Sequence, residues 1–278
     1  MTTLNCTGTG RLHFKILAPS HGEVPESMTG ACLDSRSHAN TLFGIQVLRG
    51  MVYREYGPIA AQLLADGRHY QTIDAQSWHI VLHDSNGRLL GCSRYKPVEG
   101  GFEQLGASQS AIARSQRFGP ALRSAIERQL GQARTSSVRF GEVGAWALRP
   151  EIRCSTAAVN IALMTFALAE ALGCRFGITT ATTRHHSASI LRRLGGRRFP
   201  DVPAYYDPKY GCVIEILHFS SANLDSQFAD RLKRLRSEIE RIPVVSPAKA
   251  HEGAAAEIPS HLYEHDRIPV RGHMHLVH

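Results

Sequence analysis

The sequence predicts an α+β fold, and two observations carry that prediction. Residues 139–199 alternate between strand-like runs and helical periodicity in the order strand, helix, strand, helix. Residues 77–95 instead read as two strands joined by DSNG, which is a strong hairpin turn signal. A last strand is predicted at 212–219. Because a strand-helix-strand crossover makes its two strands parallel neighbours, strands 140–148 and 174–182 are expected side by side.

The remaining elements follow from apolar spacing and from residues that start or stop helices. Before residue 41 the chain is rich in Gly, Ser, Thr and His, and only 11–18 resembles an edge strand. Ser155 or Thr156 is the candidate N-cap of the central helix, and Gly173 is its stop. Apolar periodicity predicts helices at 44–56, 119–133, 155–172, 186–194 and 224–241.

Composition limits the class of protein. The chain has 278 residues, 43% hydrophobic and 20% charged, as expected of a soluble globular protein. Its formal charge of +8 suits an acidic or phosphate-bearing partner. The basic residues cluster only at 192–193, 197–198 and 231–236, with no helix-turn-helix, RNP or zinc-finger pattern, so nucleic acid is not expected.

Cysteine and histidine usage points to a metal-free cytoplasmic protein. The six cysteines are isolated and indicate reduced thiols. No secretory signal or transmembrane segment is recognised, so a cytoplasmic location is predicted. Six of the 15 histidines follow residue 250, without zinc-ligand spacing, and no metal is expected. Residues 243–278 lack apolar periodicity and are predicted to be a disordered tail.

The strand at 140–148 and the helix after it form the candidate site. A strand that opens into a helix N-terminus offers unpaired N–H groups to a phosphate. Arg149 and Arg153, with Ser155 and Thr156, are the candidate phosphate contacts, although exposed arginines at a strand end are the simpler reading. Glu142 is the candidate general base; its alternative is a structural carboxylate paired with an arginine.

Four segments resemble the GNAT acyltransferase superfamily. Within it, they resemble the acyl-homoserine-lactone synthases and long-chain N-acyl amino acid synthases. The segments are the Ile45/Arg49/Tyr53 register, YQTIDAQSWHIVL with Asp74, GCSRY with Arg94, and EVGAWALR from Glu142 to Arg149. The resemblance implies a twisted mixed sheet, splayed where two strands run parallel, with helices on both faces. It makes 41–242 a GNAT-like acyltransferase domain, after an irregular N-terminal segment 1–40 with a possible edge strand.

The resemblance also implies roles on the acceptor side. Arg49, Asp74 and Arg94 would bind the acceptor, since a guanidinium fork suits the carboxylate of an amino acid. An Arg–Asp–Arg network that braces the first helix on the sheet explains the same residues equally well. For the tyrosines at 205, 206 and 210, hairpin packing is favoured over a role as catalytic acid.

Departures from the family pattern limit the choice of acyl donor and acceptor. The RPEIRCSTAA loop lacks the glycines with which common GNAT enzymes wrap the coenzyme A pyrophosphate, which favours an acyl carrier protein as donor and partner. Gln71 replaces a second acid, and Gly144 and Ala145 replace a serine and an arginine, which argues against the homoserine-lactone substrate.

The predicted function is therefore transfer of a medium- or long-chain fatty acyl group to an amine. The donor is acyl carrier protein thioester or acyl-coenzyme A, and the acceptor is an amino acid or a related small molecule. An acetyl-coenzyme A N-acetyltransferase, or a catalytically silent GNAT-like binding domain, would share the same sequence features.

Overall fold

The computed structural model describes residues 3–6, 9–55, 57–220 and 226–247. Its strands are β1 (Thr3–Cys6), β2 (Thr9–Leu17), β3 (Ala31–Leu33), β4 (Trp78–His83), β5 (Leu89–Val98), β6 (Arg139–Leu148), β7 (Cys174–Thr182), β8 (Arg197–Arg198), β9 (Tyr205–Asp207), β10 (Cys212–Ser220) and β11 (Val244–Ser246). Its α-helices are α1 (Ser35–Tyr53), α2 (Gly119–Thr135), α3 (Ala157–Ala171), α4 (Ser187–Arg193) and α5 (Ala229–Ile239).

All described strands belong to one mixed sheet. Its main path runs β3-β11-β2-β4-β5-β6-β7-β10-β8, while β1 pairs with β2 and β9 pairs with β10. β6 and β7 are parallel, as the crossover rule predicts, and β11 is parallel to both its neighbours. The α+β fold class and the parallel pair are thus confirmed.

Helices cover both faces of the sheet. On one face α3 packs with α5 over a core that includes Val143, and on the other α2 packs over Phe140. α1 covers the same face as α2, where Ile45 and Leu48 contact Ala147. A β-strand alternates its side chains between faces, so β6 presents residues to both layers.

The N-terminal segment is more regular than its composition indicates. β2 is an interior strand that lies between β11 and β4, not the edge strand predicted at 11–18. α1 begins at Ser35, well before the predicted start at 44, because Asp34 caps it by accepting a 2.8 Å hydrogen bond from the Ser37 N–H. The apolar pattern of this helix starts only in its second half, so the sequence pattern does not predict where the helix begins.

The C-terminal boundary also differs. β11 lies inside 243–278, the segment predicted to be a tail, and inserts between β2 and β3. The described residues up to 247 belong to one compact unit. Residues 248–278 lie outside the described residues, so the prediction of disorder there stays a prediction.

Candidate active site

A cleft opens in the sheet where the parallel strands part. β6 and β7 pair from Arg139 with Cys174 to Val143 with Thr179 and no further. Beyond that point β6 stays with β5, and β7 stays with β10 up to the pair Thr182 and Ile214. The second half of the parallel pair therefore diverges, which is the predicted splay.

A bulge in β6 lies at the mouth of this cleft. Arg94 pairs with Gly144 and Cys92 with Ala147, so two residues of β6 face one residue of β5. Ala145 takes a φ of 51°, a left-handed conformation unusual for a residue with a Cβ. The bulge changes which face the later side chains of β6 point to. Phe140 and Ala147 therefore lie on the same face, although they are an odd number of positions apart along the strand.

Glu142 lies two residues before the bulge and faces the α2 layer. Its carboxylate accepts hydrogen bonds from the backbone N–H groups of Gly106 at 2.7 Å and Ala107 at 3.1 Å. Burial raises the pKa of Glu142, against the opposing effect of those N–H donors and of the positive charge of Arg94. Among the described residues Glu142 has no arginine ion pair, so the arginine-paired alternative does not apply to it.

Arg49 and Asp74 form a buried ion pair between α1 and the turn before β4. Arg49 Nη1 donates to Asp74 Oδ1 at 2.8 Å, Nη2 donates to Oδ2, and Nη2 also donates to the His69 carbonyl at 2.7 Å. The Arg49 side chain has 0% exposure. Its two terminal nitrogens are thus occupied, which favours the bracing role over direct contact with an acceptor.

Arg94 completes the network from β5. Its Nη1 donates to Asp74 Oδ1 at 2.8 Å and to Gln71 Oε1 at 2.6 Å. Gln71, which stands where the synthases have a second acid, thus contributes an amide oxygen to Arg94. Arg94 keeps 13% side-chain exposure and acts electrostatically on Glu142, so it connects the buried pair to the candidate base.

The electrostatics fix Asp74 in its ionised form. Burial opposes its ionisation, but the hydrogen bonds and charge of Arg49, with the charge of Arg94, outweigh burial and lower the pKa of Asp74 to about 2. His79 Nε2 lies 3.0 Å from the Asp74 carbonyl, and burial lowers the pKa of His79 to about 4. A neutral histidine therefore supports the turn that carries Asp74.

Sequence reasoning missed the residues that surround Glu142. Gly106 and Ala107 contribute only backbone N–H groups, which carry no side-chain signature. Burial raises the pKa of Tyr210 to about 12. The charges of Asp207, Arg94 and Glu142 also affect this pKa, which shows that Tyr210 lies near them. Its position in the β9–β10 turn agrees with hairpin packing, and its nearness to Glu142 emerges only from the fold.

The two candidate phosphate-binding arginines contact backbone carbonyls and residues in or just after α1. Arg149 Nε donates to the Leu89 carbonyl at 2.8 Å, and its Nη1 lies 3.6 Å from Met51 Sδ. Arg153 Nε donates to the Leu148 carbonyl at 3.4 Å, and its Nη1 lies 3.6 Å from Glu55. Both guanidinium groups thus have partners other than a phosphate in this structure, and their role in phosphate binding stays a prediction.

The loop before α3 is held by its own hydrogen bonds. Ser155 Oγ donates to the Ile152 carbonyl at 2.7 Å and accepts from the Ala157 N–H at 3.1 Å, so it satisfies one donor of the helix start. Thr156 is the N-cap residue by backbone position, without a side-chain cap bond. Cys154 has a φ of 60°, the conformation that a glycine adopts most readily.

The described residues include neither a candidate membrane span nor a candidate metal cluster. No helix in the described part of the chain is long and apolar enough to span a bilayer. Within the same residues, no group of three or more His, Cys, Asp and Glu side chains is placed to hold a metal ion.

Comparison with known proteins shows similarity in structure only. No family model matches the sequence, and no curated protein matches it. The CoA-dependent acyl-homoserine lactone synthase BjaI, solved with SAM and isopentyl-CoA, is similar with a TM-score of 0.51 and 12% identity over 86% of this chain and 95% of that chain.

Two further similar structures have lower TM-scores. The CoA-dependent acyl-homoserine lactone synthase MesI has a TM-score of 0.48 and 16% identity over 81% of this chain and 95% of that one. FeeM, an N-acyl amino acid synthase from uncultured soil microbes, has a TM-score of 0.44 and 13% identity over 77% of this chain and 93% of that chain. Of these three structures only BjaI has a TM-score above 0.5, and its similarity confirms the predicted GNAT-type fold of this chain.

Proposed function

We propose that this protein is an N-acyltransferase that moves a medium- or long-chain fatty acyl group from a thioester to the amine of an amino acid or related small molecule. The observation that carries the proposal is Glu142, a buried carboxylate with a raised pKa beside the cleft between β6 and β7. An α-amino group is largely protonated at neutral pH, and a carboxylate of raised pKa is a better proton acceptor than an ordinary one.

Arg94 is the group that we assign to the acceptor carboxylate. Only its Nη1 is used in the described hydrogen bonds to Asp74 and Gln71, and the side chain retains partial exposure. Asp74 holds Arg94 in place while Arg49 neutralises Asp74, so the pair acts as a support for the third residue. An amino acid bound at Arg94 presents its amine toward Glu142.

The reaction is direct attack without an acyl-enzyme. The substrate ammonium loses one proton to Glu142, directly or through a water. The neutral amine nitrogen then forms a bond to the thioester carbonyl carbon, the C–S bond breaks, and the leaving thiolate takes up the second proton that the nitrogen gives up. A backbone N–H near the β6 bulge at Ala145 would stabilise the oxyanion. No metal is needed for these steps.

The donor is the most specific part of the proposal. The loop at 149–156 is held by its own bonds and lacks the glycines that let a backbone approach a pyrophosphate closely. A phosphopantetheine on an acidic carrier protein needs no pyrophosphate grip, and a net charge of +8 steers such a partner. Coenzyme A remains the alternative donor, since BjaI is described as CoA-dependent.

An apolar cavity on the α3 side of the parallel pair suits the start of an acyl chain. It has a volume of about 50 Å³. Its apolar lining includes Tyr95, Val143, Phe166, Ala169 and Phe219. A longer chain needs Phe166 or Phe219 to rotate, since the space is narrow.

The test is an assay of purified protein with acyl carrier protein and coenzyme A thioesters of several chain lengths and a mixture of amino acids, read by mass spectrometry. We expect N-acyl amino acids from the wild type and a loss of about 10²- to 10⁴-fold in kcat for Glu142→Gln. Glu127→Gln is the matched control, because Glu127 is an exposed glutamate on α2 paired with Arg123.

Three results would count against the proposal. Acetyl transfer without any long-chain transfer favours an ordinary acetyltransferase. Equal turnover by Glu142→Gln and wild type removes the proposed base. Absence of every acyl transfer in a protein with an intact thermal transition favours a silent binding domain.

A further inference from the structure

The sequence RRLGGRR at 192–198 folds back on itself and places Arg192, Arg197 and Arg198 beside one groove. The turn is closed by backbone hydrogen bonds from the Gly195 N–H to the Arg192 carbonyl at 3.0 Å and from the Gly196 N–H to the Leu191 carbonyl at 3.0 Å. Gly195 has a φ of 101°, and a Cβ on Gly196 would lie 2.8 Å from the Phe219 ring. Both glycines are therefore required for the return of the chain.

The groove formed in this way is large and open. Its volume is about 950 Å³. Four guanidinium groups line it, from Arg117, Arg192, Arg197 and Arg198, and Asp201 contributes the one carboxylate of the lining. It lies at the β8 edge of the sheet, beyond β10, whereas Glu142 is on β6. The groove is therefore separate from the candidate active site.

A buried glutamate lies within ion-pair distance of two of these arginines. Glu215 is 5% exposed, and its Oε2 lies 3.7 Å from Arg192 Nε and 3.9 Å from Arg198 Nε. In both contacts Nε is the nearest nitrogen, so the two terminal nitrogens of each guanidinium lie farther from the carboxylate. These terminal nitrogens form the fork that binds phosphate oxygens in pairs.

The other two arginines have no carboxylate partner among the described residues. Arg117 packs over the Phe118 ring with its guanidinium carbon 5.0 Å from the ring centroid. Neither Arg117 nor Arg197 forms an ion pair within that part of the chain. Arg117 and Arg197 thus add positive charge to the groove without a paired carboxylate, and an anion bound there would be stabilised by that charge.

We propose that this groove is a binding site for a phosphate-bearing small molecule, distinct from the acyl-transfer site and independent of the proposed function. Two or more phosphate oxygens would be held by Arg192, Arg197 and Arg198. Phe118 and Phe199 also line the groove and supply apolar surface for a ring or chain attached to the phosphate. A diphosphate ester with a planar ring, such as ADP, has both features.

The test is calorimetric titration of the full chain with ADP, inorganic pyrophosphate and adenosine at physiological salt. We expect saturable binding of ADP and an affinity loss of at least about tenfold in the Arg197→Gln/Arg198→Gln double variant. Both side chains are exposed and Arg192 remains beside Glu215, so the variant should keep its thermal transition. Arg128→Gln is the matched control, because Arg128 is an exposed arginine on α2 bonded to Ser124 outside the groove.

Titration with the three ligands distinguishes the possible sources of the phosphate. Pyrophosphate that binds as tightly as ADP identifies an inorganic polyphosphate, and ADP that binds more tightly identifies a ring-bearing ester; both support the site. Adenosine that binds like ADP overturns it. ADP binding that survives in the double variant also overturns it, because a diphosphate held at the acyl-transfer cleft would not depend on Arg197 and Arg198.

Discussion

The Gly106 N–H donates a 2.7 Å hydrogen bond to Glu142 Oε2, joining two residues that are 36 positions apart in the chain. This bond, with that from Ala107, fixes the orientation of the proposed base. It also limits how far burial can raise the pKa of Glu142, since N–H donors favour the charged carboxylate. Glu142 is thus held rigidly and is still easier to protonate than an exposed glutamate.

The first prediction concerns the pH dependence of activity. As pH falls through the raised pKa of Glu142, the base becomes protonated and kcat/KM of the wild type should fall about tenfold per pH unit. The Glu142→Gln variant should show no such limb in its residual activity. Rate profiles over about pH 4 to 8 check this. A limb of the same midpoint in both proteins would exclude Glu142 as its source.

The second prediction concerns stability at the same residue. Because the folded-state pKa of Glu142 is raised, its ionisation costs stability. The wild type should lose free energy of unfolding as pH rises from the unfolded pKa through the folded one, and Glu142→Gln should not. Urea unfolding of both proteins at several pH values measures the difference, and Glu127→Gln should follow the wild type. A wild-type curve parallel to that of Glu142→Gln refutes the raised pKa.

The third prediction concerns the buried pair of Arg49 and Asp74. Asp74→Asn leaves the Arg49 charge buried without its partner and should cost about 3–5 kcal/mol of stability. In the wild type, the stability from Asp74 is fully present above its unfolded pKa and is lost as pH falls toward about 2. Chemical denaturation measures both effects. Asp66→Asn, at an exposed pair with Arg68, is the control and should leave the midpoint unchanged.

The fourth prediction separates binding from bracing at Arg94. Arg94→Lys keeps the positive charge but loses the planar fork, so KM for an amino acid acceptor should rise about tenfold with little change in kcat. The decarboxylated amine of the same acceptor should show no such change. Steady-state kinetics with both acceptors decide it. An equal effect on the two would mean that Arg94 only supports the fold.

The fifth prediction concerns acyl chain length. Ala169 lines the apolar cavity, and Ala169→Leu fills part of a space of only about 50 Å³. Turnover of long-chain thioesters should fall at least about tenfold, since overpacked cores resist further insertion. Short-chain turnover by the same variant is the internal control. A uniform fall across chain lengths would point to general destabilisation instead.

The sequence predicts the elements that carry strong local signals. DSNG gives the turn between β4 and β5, where Gly87 has a φ of 77° and the Asp84 carboxylate accepts from the Asn86 N–H at 2.9 Å. Periodicity places α2 and α3 within a few residues of their observed bounds. β11 escapes prediction because three residues are too few to show a period of two, and its partners are distant in the chain.

The candidate site is only half visible in the sequence. Arg49, Asp74 and Arg94 can be expected together, because a family register links them. The contact between Glu142 and the 106–107 backbone cannot be predicted from the sequence, since any residue other than proline supplies an N–H group. The directions of Arg149 and Arg153 are also set by carbonyl groups of β5 and β6, which pairing exposes only in the folded sheet.

The position of β11 has a consequence for how the chain folds during synthesis. Val244 pairs with Ile16 and Ala31, and the Thr29 hydroxyl donates to the Glu240 carbonyl across 211 residues. Until the ribosome releases this late segment, β2 and β3 each keep an open edge toward the solvent. Such long-range pairing slows folding and leaves strands available to other chains. We therefore expect nascent chains of this protein to depend on chaperones until their last strand is inserted.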